Sequence, residues 1–171
     1  HGVSAAMLSV LFKTRLQQFN NGDSPLHPAI LLERLNEYLF VECASPGLFI
    51  TAAYAVIDLH KADLCFASAG HPPMVLRRGD GNTEMLYHTG PALGLDREAK
   101  FAENRIRFDR GDQVLCYTDG LCDGWGEGKG LPAERLTQVL TEVDFHEKNA
   151  LLSILSRASE AREGRAAGDD I

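Results

Sequence analysis

The chain has 171 residues, of which 44% are hydrophobic and 24% charged, so it is long enough to bury a core within one domain. Its formal net charge is -7 and its basic residues are scattered, which excludes the basic stripe that a nucleic-acid backbone requires. No apolar run approaches the roughly 20 residues of a membrane-crossing helix, so the sequence predicts no membrane insertion.

Two helices are predicted at the start of the chain. Apolar residues recur at three- and four-residue intervals over residues 3–20, and Asn20–Asp23 offers turn conformations that stop this helix. Pro28 suits the first turn of a second helix, which runs to about Cys43, because proline lacks an N–H that this position need not donate. The apolar stripe of the second helix consists of Leu31, Leu35 and Leu39.

A long β region follows the helices. Leu48–Leu59 is rich in β-branched and aromatic residues and is apolar on both faces, which predicts a strand inside a covered sheet. A turn at residues 60–63 joins it to Leu64–Ser68 in a hairpin. Four further strands are predicted at Met74–Arg78, Glu84–Tyr87, Arg105–Phe108 and Gln113–Tyr117.

The end of the chain is predicted to be helical again, at Ala133–Leu140 and Lys148–Glu163. The order of two helices, a long antiparallel β region and two further helices indicates an α+β fold. In such a fold, helices cover a sheet or sandwich. The chain has no internal repeat and no obvious linker, so we expect a single domain.

The four cysteines give no metal-binding spacing, because none of them forms a CxxC pair. Cys65 and Cys116 fall within strand-like runs, where a cysteine behaves as a small core hydrophobe. Isolated, buried thiols are typical of a reducing compartment. The sequence therefore predicts a cytoplasmic protein whose cysteines are inert.

Asp119 follows the apolar run Val114–Tyr117, which we predict to be a buried strand, and Gly120 then allows a sharp turn. A carboxylate held in this way is pre-positioned and partly desolvated, so its charge must be compensated. A divalent metal is one solution, because hard cations prefer oxygen ligands, and an ordinary Asp-Gly turn is the alternative. Asp169 and Asp170 fit either a second carboxylate for the same ion or a solvated acidic tail.

Six short motifs follow one another along the whole chain. They are His1–Met7, Ala67–Pro73, Gly90–Leu95, Arg110–Asp112, Tyr117–Gly120 and Asp169–Ile171. None of them is specific alone, but in this order they resemble the motifs of PPM-type (protein phosphatase 2C-like) serine/threonine phosphatases. The resemblance is to the bacterial branch typified by the stage II sporulation protein E and the Rsb phosphatases.

The resemblance implies a central antiparallel β-sandwich flanked by helices, with two Mn²⁺ or Mg²⁺ ions at one edge and a third ion in some relatives. Asp119 and Asp169 would be metal ligands by position. Asp123 fits either a ligand of the third, weaker ion or a surface turn. Asp170 would hydrogen-bond around the site, and Gly120 would shape its turn. The implied catalyst is a metal-activated water, so no side chain acts as the nucleophile.

The implied function is a metal-dependent protein phosphatase domain in bacterial signal transduction and sigma-factor regulation, acting on phosphoserine or phosphothreonine. Its implied partners are a phosphorylated STAS-type anti-sigma-factor antagonist and an upstream sensor or regulatory domain. An incomplete sheet would also expose an edge for pairing into a homodimer. Two alternatives are a catalytically inactive relative that serves as a docking or regulatory module, and a ligand-binding or structural domain whose acids are incidental.

The chain begins within the first motif and stops within the last. In the family, a metal-binding aspartate and further strands precede the first motif, and a threonine follows the last. We therefore expect residues 1–171 to be one phosphatase domain, truncated at its N-terminus and ending within the C-terminal metal motif.

We predict that the 171-residue polypeptide alone has little or no phosphatase activity, because one metal-binding carboxylate of the family is missing from it. Hydrolysis of p-nitrophenyl phosphate with manganese measures this activity, and a longer chain that includes the upstream segment is the control. Robust manganese-dependent turnover by the isolated 171-residue chain would contradict the prediction.

Overall fold

The structure, a computed structural model, describes residues 3–22, 25–42, 49–87, 90–121, 139–143 and 148–160. Its helices are α1 (Val3–Phe19), α2 (Pro28–Glu42) and α3 (Ala150–Glu160), with a 3₁₀ helix at Asp119–Leu121. Its strands are β1 (Ala52–Asp58), β2 (Asp63–Ala69), β3 (Met74–Arg77), β4 (Thr83–Leu86), β5 (Asn104–Arg107) and β6 (Gln113–Leu115). Within these residues, no helix has the length and apolar character that crossing a membrane requires.

The chain divides into two compact units, which are described separately. The first unit comprises residues 1–71 and 88–108 and contains α1, α2 and a sheet of order β1-β2-β5. The second comprises residues 72–87 and 109–171 and contains α3 and a sheet of order β4-β3-β6. Both sheets are antiparallel, so the predicted α+β class is confirmed. The prediction of one phosphatase domain over the whole chain stays a prediction.

Both N-terminal helices form where the sequence predicts them. Helix α2 begins at Pro28, and the carbonyl of His27 accepts the N–H of Leu31 at 3.0 Å, which closes the first turn. Of the C-terminal helices, α3 lies within the predicted span 148–163. The predicted helix at 133–140 lies outside the described residues except for residues 139 and 140, which are helical.

In the first unit, α2 packs its leucine stripe onto β2. The leucines are fully or almost fully buried, and they contact the small side chains of Ala67 and Ala69. They are Leu31, Leu32, Leu35 and Leu39. Each buried leucine contributes about 1.5–3 kcal/mol, so this contact is a main source of stability in the unit.

The covered strand of the first sheet is β2 and not the strand predicted at Leu48–Leu59. Strand β1 is half-buried, and Ile57 within it is 44% exposed. The reason is that β1 pairs only with β2 among the described strands, whereas β2 has β1 and β5 on its two sides and α2 on one face. Every residue from Leu64 to Ala69 is consequently buried.

Strand β2 ends at a close contact between two of the sequence motifs. Gly70 has a φ of +62° and donates its N–H to the carbonyl of Gly90 at 3.0 Å. A Cβ at position 70 would lie 2.9 Å from the Cβ and the backbone nitrogen of Ala92. A Cβ at position 90 would lie 2.5 Å from a ring carbon of Phe101. Glycine at position 70 therefore allows the two motifs to approach each other, and glycine at position 90 leaves room for the Phe101 ring.

In the second unit, the buried carboxylate of Asp112 joins two turns. It accepts the N–H groups of Gly79 at 2.9 Å and Asp109 at 3.0 Å, and a guanidinium N–H of Arg78 at 3.0 Å. Its side chain is only 5% exposed. Burial acts to raise the pKa of Asp112, but the two backbone N–H donors and Arg78 together hold that pKa below its ordinary value.

Two expectations for the run that ends in Tyr117 are wrong. The strand stops at Leu115 and is half-buried, because β6 pairs with β3 alone among the described strands. Cys116 is exposed and is not a core residue.

Cys65, on the covered strand β2, is buried as predicted. Its burial is the main cause, and the nearby Glu103 carboxylate the second cause, that raises the pKa of its thiol to about 12. Such a thiol stays protonated and unreactive.

We predict that Asp112→Asn lowers the free energy of unfolding by about 2 kcal/mol at neutral pH, because it weakens charge-assisted hydrogen bonds in a buried site. The pKa of Asp112 in the folded state lies below its ordinary value of 3.8. The stabilisation by the ionised carboxylate is therefore present above pH 3.8 and is lost as the pH falls through the folded-state pKa. Urea denaturation over a pH series measures the difference between variant and wild type. Asp80→Asn, at an exposed turn, is the control, and an equal loss in both variants would contradict the prediction.

We also predict that Gly70→Ala destabilises the protein by at least about 2 kcal/mol more than Gly81→Ala, because only the first adds a steric clash. Both glycines have positive φ, but a Cβ at position 81 would meet only a side-chain nitrogen of Arg77, at 3.9 Å. Thermal or urea unfolding of the two variants gives the comparison. Equal destabilisation would show that backbone conformation alone accounts for the cost.

Candidate functional site

Asp119 opens the 3₁₀ helix that follows β6. The carbonyl of Thr118 accepts the N–H of Leu121 at 3.1 Å and closes this turn. The Asp119 carboxylate accepts the N–H of Gly120 at 3.1 Å. Asp119 is exposed, so the expectation of a partly desolvated carboxylate at the end of a buried strand is wrong.

Packing, rather than desolvation, fixes the backbone of this turn. Gly120 and Leu121 are both buried, and Leu121 is 5% exposed within the core of the second unit. The other buried members of this core are Val75, Leu140, Val143, Ala150 and Ile154. Sequence reasoning missed Leu121, although an apolar residue two positions after the acid was the available signal. The turn therefore presents an exposed carboxylate from an anchored backbone.

The other predicted metal-site residues cannot be placed beside Asp119, because Asp123, Asp169 and Asp170 lie outside the described residues. Within the part of the chain that is described, no group of three or more histidine, cysteine, aspartate or glutamate residues could hold a metal ion. Asp119 by itself is a suitable ligand for a hard cation, since its carboxylate makes one hydrogen bond among these residues and is exposed. One carboxylate is not a complete site.

Sequence reasoning also missed a buried polar residue on α2. Asn36 is 1% exposed and lies beside Leu35 in the apolar part of the helix. Its Oδ1 accepts the N–H of Gly94 at 2.8 Å, and its Nδ2 donates to the carbonyls of Asp96 at 2.8 Å and Arg97 at 3.3 Å. The motif Gly90–Leu95 is thereby tied to α2. A polar residue within an apolar stripe was the signal that could have identified Asn36.

Two concave surfaces lie among the described residues of the first unit. An open groove of about 680 Å³ lies between α2 and residues 97–100, and a smaller cavity of about 230 Å³ lies near the start of α2. The charged residues lining the groove are balanced, three acidic and three basic: Glu33, Glu37, Glu98, Arg34, Arg97 and Lys100. In the smaller cavity, Arg105 pairs with Asp63 at 3.1 Å and Lys61 with Asp58 at 3.0 Å. Neither surface has the excess positive charge that phosphate binding favours.

All 171 residues match the family model described as stage II sporulation protein E (SpoIIE). Protein IcfG of Synechocystis sp. is 27% identical over 181 residues, covering 91% of this chain and 28% of that protein. Phosphoserine phosphatase RsbP of Bacillus subtilis is 28% identical over 124 residues, covering 72% of this chain and 31% of that protein. The chain thus spans about a third or less of the length of these two curated relatives.

Solved structures share the fold. The SiaA-PP2C domain of Pseudomonas aeruginosa has a TM-score of 0.84 at 18% identity, over 99% of this chain and 68% of that chain. The manganese-presoaked phosphatase domain of SpoIIE from Bacillus subtilis has a TM-score of 0.61 at 16% identity, over 93% and 69%. RsbX in complex with magnesium has a TM-score of 0.66 at 16% identity, over 95% and 71%.

At these identities the structures show the fold, and the match to the family model shows the family. The resemblance indicated by the six motifs is confirmed. The chain belongs to the stage II sporulation protein E (SpoIIE) family, and its fold is that of the PP2C phosphatase domains.

Proposed function

We propose that the chain is the phosphatase domain of a metal-dependent protein serine/threonine phosphatase, which hydrolyses a phosphoserine or phosphothreonine monoester. The observation that carries this proposal is the match of all 171 residues to the SpoIIE family model. The curated relatives RsbP and RsbU of Bacillus subtilis, at 28% and 25% identity, are both named phosphoserine phosphatases.

The proposed site is built around Asp119. Because Leu121 anchors the turn in the core, the Asp119 backbone need not become ordered when a ligand binds, which lowers the entropic cost of holding an ion. Asp169 is the proposed second metal ligand, and Asp123 the proposed ligand of a third, weaker ion. Asp170 is proposed to hydrogen-bond around the site.

The proposed cofactor is Mn²⁺ or Mg²⁺, in two copies, with a third ion held through Asp123. The manganese presoak of the SpoIIE domain and the magnesium complex of RsbX support this choice. When bound, such ions activate water and neutralise phosphoryl oxygens, which is the chemistry that ester hydrolysis requires. The chain itself contributes oxygen ligands on a packed turn, and no thiol nucleophile is needed, in agreement with the raised thiol pKa of Cys65.

The proposed substrate is a phosphorylated STAS-type anti-sigma-factor antagonist in the cytoplasm. An upstream sensor or regulatory domain is the proposed source of control, which fits the much greater length of the curated relatives. Strand β1 pairs on one side only among the described strands, which also supports pairing of two copies into a homodimer.

We predict that Asp119→Asn, in the longest natural chain that contains this sequence, lowers Mn²⁺ affinity and the rate of phosphopeptide hydrolysis by at least about tenfold, because it removes one anionic metal ligand. Calorimetric titration with Mn²⁺ gives the affinity, and phosphate release from a phosphoserine peptide gives the rate. Asp80→Asn is the matched control, since it makes the same substitution at another exposed position of the second unit.

The outcomes separate the candidate functions. Unchanged Mn²⁺ affinity in Asp119→Asn would show that its carboxylate is incidental and would overturn the proposed site. Wild-type protein that binds Mn²⁺ without hydrolysing the phosphopeptide would favour the alternative of an inactive docking or regulatory module.

A further inference from the structure

Asp119 lies beyond the end of the strand that precedes it. Strand β6 and its pairing with β3 end at Leu115, four residues before Asp119. Of the residues between them, Cys116 and Thr118 are exposed and Tyr117 is partly buried. The backbone that carries the carboxylate has therefore left the strand before it reaches Asp119, so the sheet does not by itself explain where this carboxylate lies.

The turn at residues 118–121 is held together by its own hydrogen bonds. The N–H of Leu121 donates to the carbonyl of Thr118 at 3.1 Å, and the N–H of Gly120 donates to the Asp119 carboxylate at 3.1 Å. The first bond closes the backbone of the turn, and the second orients the side chain of Asp119. The turn and its carboxylate thus form one unit, whose place depends on what attaches it to the rest of the protein.

Leu121 attaches this turn to the core of the second unit. It is 5% exposed, and it belongs to the same buried cluster as Val75 of β3 and as Ala150 and Ile154 of α3. Among residues 116–121, it is the only buried residue that carries a side chain, since the other buried residue is Gly120. A close-packed interior leaves a buried leucine little freedom to shift, so the turn keeps the position that Leu121 gives it.

We propose that Leu121 is the positioning residue of the metal site: its packing, and not strand β6, fixes the place of the Asp119 carboxylate and thereby sets the affinity for Mn²⁺. This inference rests on the proposed function, in which Asp119 is a metal ligand. Leu121 touches no ion itself. It acts by restricting Asp119 before the ion binds, so that less freedom is lost on binding.

Three leucine-to-alanine variants truncate the same core and separate the possible causes. Leu121→Ala releases the turn, Leu115→Ala loosens the end of β6, and Leu140→Ala removes a buried side chain that belongs to neither. In the longest natural chain that contains this sequence, calorimetric titration should show Mn²⁺ affinity at least about tenfold lower in Leu121→Ala, because loss of a group that orients a metal ligand typically has this effect. The other two variants should lose less.

Two results of the titration would overturn the proposal. Equal losses of Mn²⁺ affinity in all three variants would show that the affinity follows the general integrity of the core. A larger loss in Leu115→Ala than in Leu121→Ala would assign the position of the carboxylate to the strand.

Hydrogen–deuterium exchange of the metal-free protein gives a readout that does not involve the ion. The amide at position 121 should exchange at least about fivefold faster in Leu121→Ala than in wild type, relative to the Arg78 amide, because opening of the turn becomes easier. The Arg78 amide bonds to the carbonyl of Asn82 in the same unit and reports general destabilisation. Leu140→Ala should leave this ratio unchanged, and the same change in both variants would contradict a local role of Leu121.

Asp119→Asn separates failure of this inference from failure of the proposed function. If Asp119→Asn lowers Mn²⁺ affinity and Leu121→Ala does not, the metal site stands and the positioning role is overturned. If Asp119→Asn leaves the affinity unchanged, the proposed site and the positioning role are both overturned. Should Leu121→Ala not fold, Leu121→Val with Leu140→Val as its control gives the same comparison, and unchanged affinity in Leu121→Val would overturn the proposal.

Discussion

Helix α2 packs its leucines onto a strand that presents alanines, and the first unit is organised around this contact. Ala67 and Ala69 are two positions apart and so lie on one face of β2, where their small side chains leave room for a helix to approach closely. The same strand leads directly into Gly70, where the absence of a side chain admits the backbone of Ala92. Displacing the helix or the strand would therefore disturb the two motifs that meet at Gly70.

Among the described residues, Asn36 in the first unit and Asp112 in the second are buried polar side chains whose hydrogen bonds are satisfied in different ways. Asn36 is neutral and uses both ends of its amide on backbone groups, so it specifies a loop conformation without the cost of burying a charge. Asp112 is charged, and it is stabilised by two backbone N–H groups and by Arg78. The turn motif Arg110–Asp112 is thereby explained by structure, since its acid holds adjacent turns together.

The proposed metal site is formed by carboxylates and not by either concave surface of the first unit. The groove and the cavity of the first unit have balanced or paired charges, whereas Asp119 is an exposed acid on a turn that Leu121 anchors. An exposed carboxylate can take up a cation at little desolvation cost. The proposed role of Asp119 as a metal ligand rests on family membership, and the burial of Leu121 explains how the backbone of the turn is held.

The sequence by itself determined the two N-terminal helices, the hairpins and the family. Apolar spacing and Pro28 located α2, and the order of six motifs indicated the phosphatase family, because these signals are local or survive in short stretches. Burial was decided only by tertiary structure: Cys116 is exposed, although its neighbourhood is as apolar as that of the buried Cys65. The partners of Asn36 are likewise some sixty residues away along the chain. A residue's preference for helix or strand follows from its local sequence. Its burial and its hydrogen-bond partners depend on which distant segments the fold places beside it.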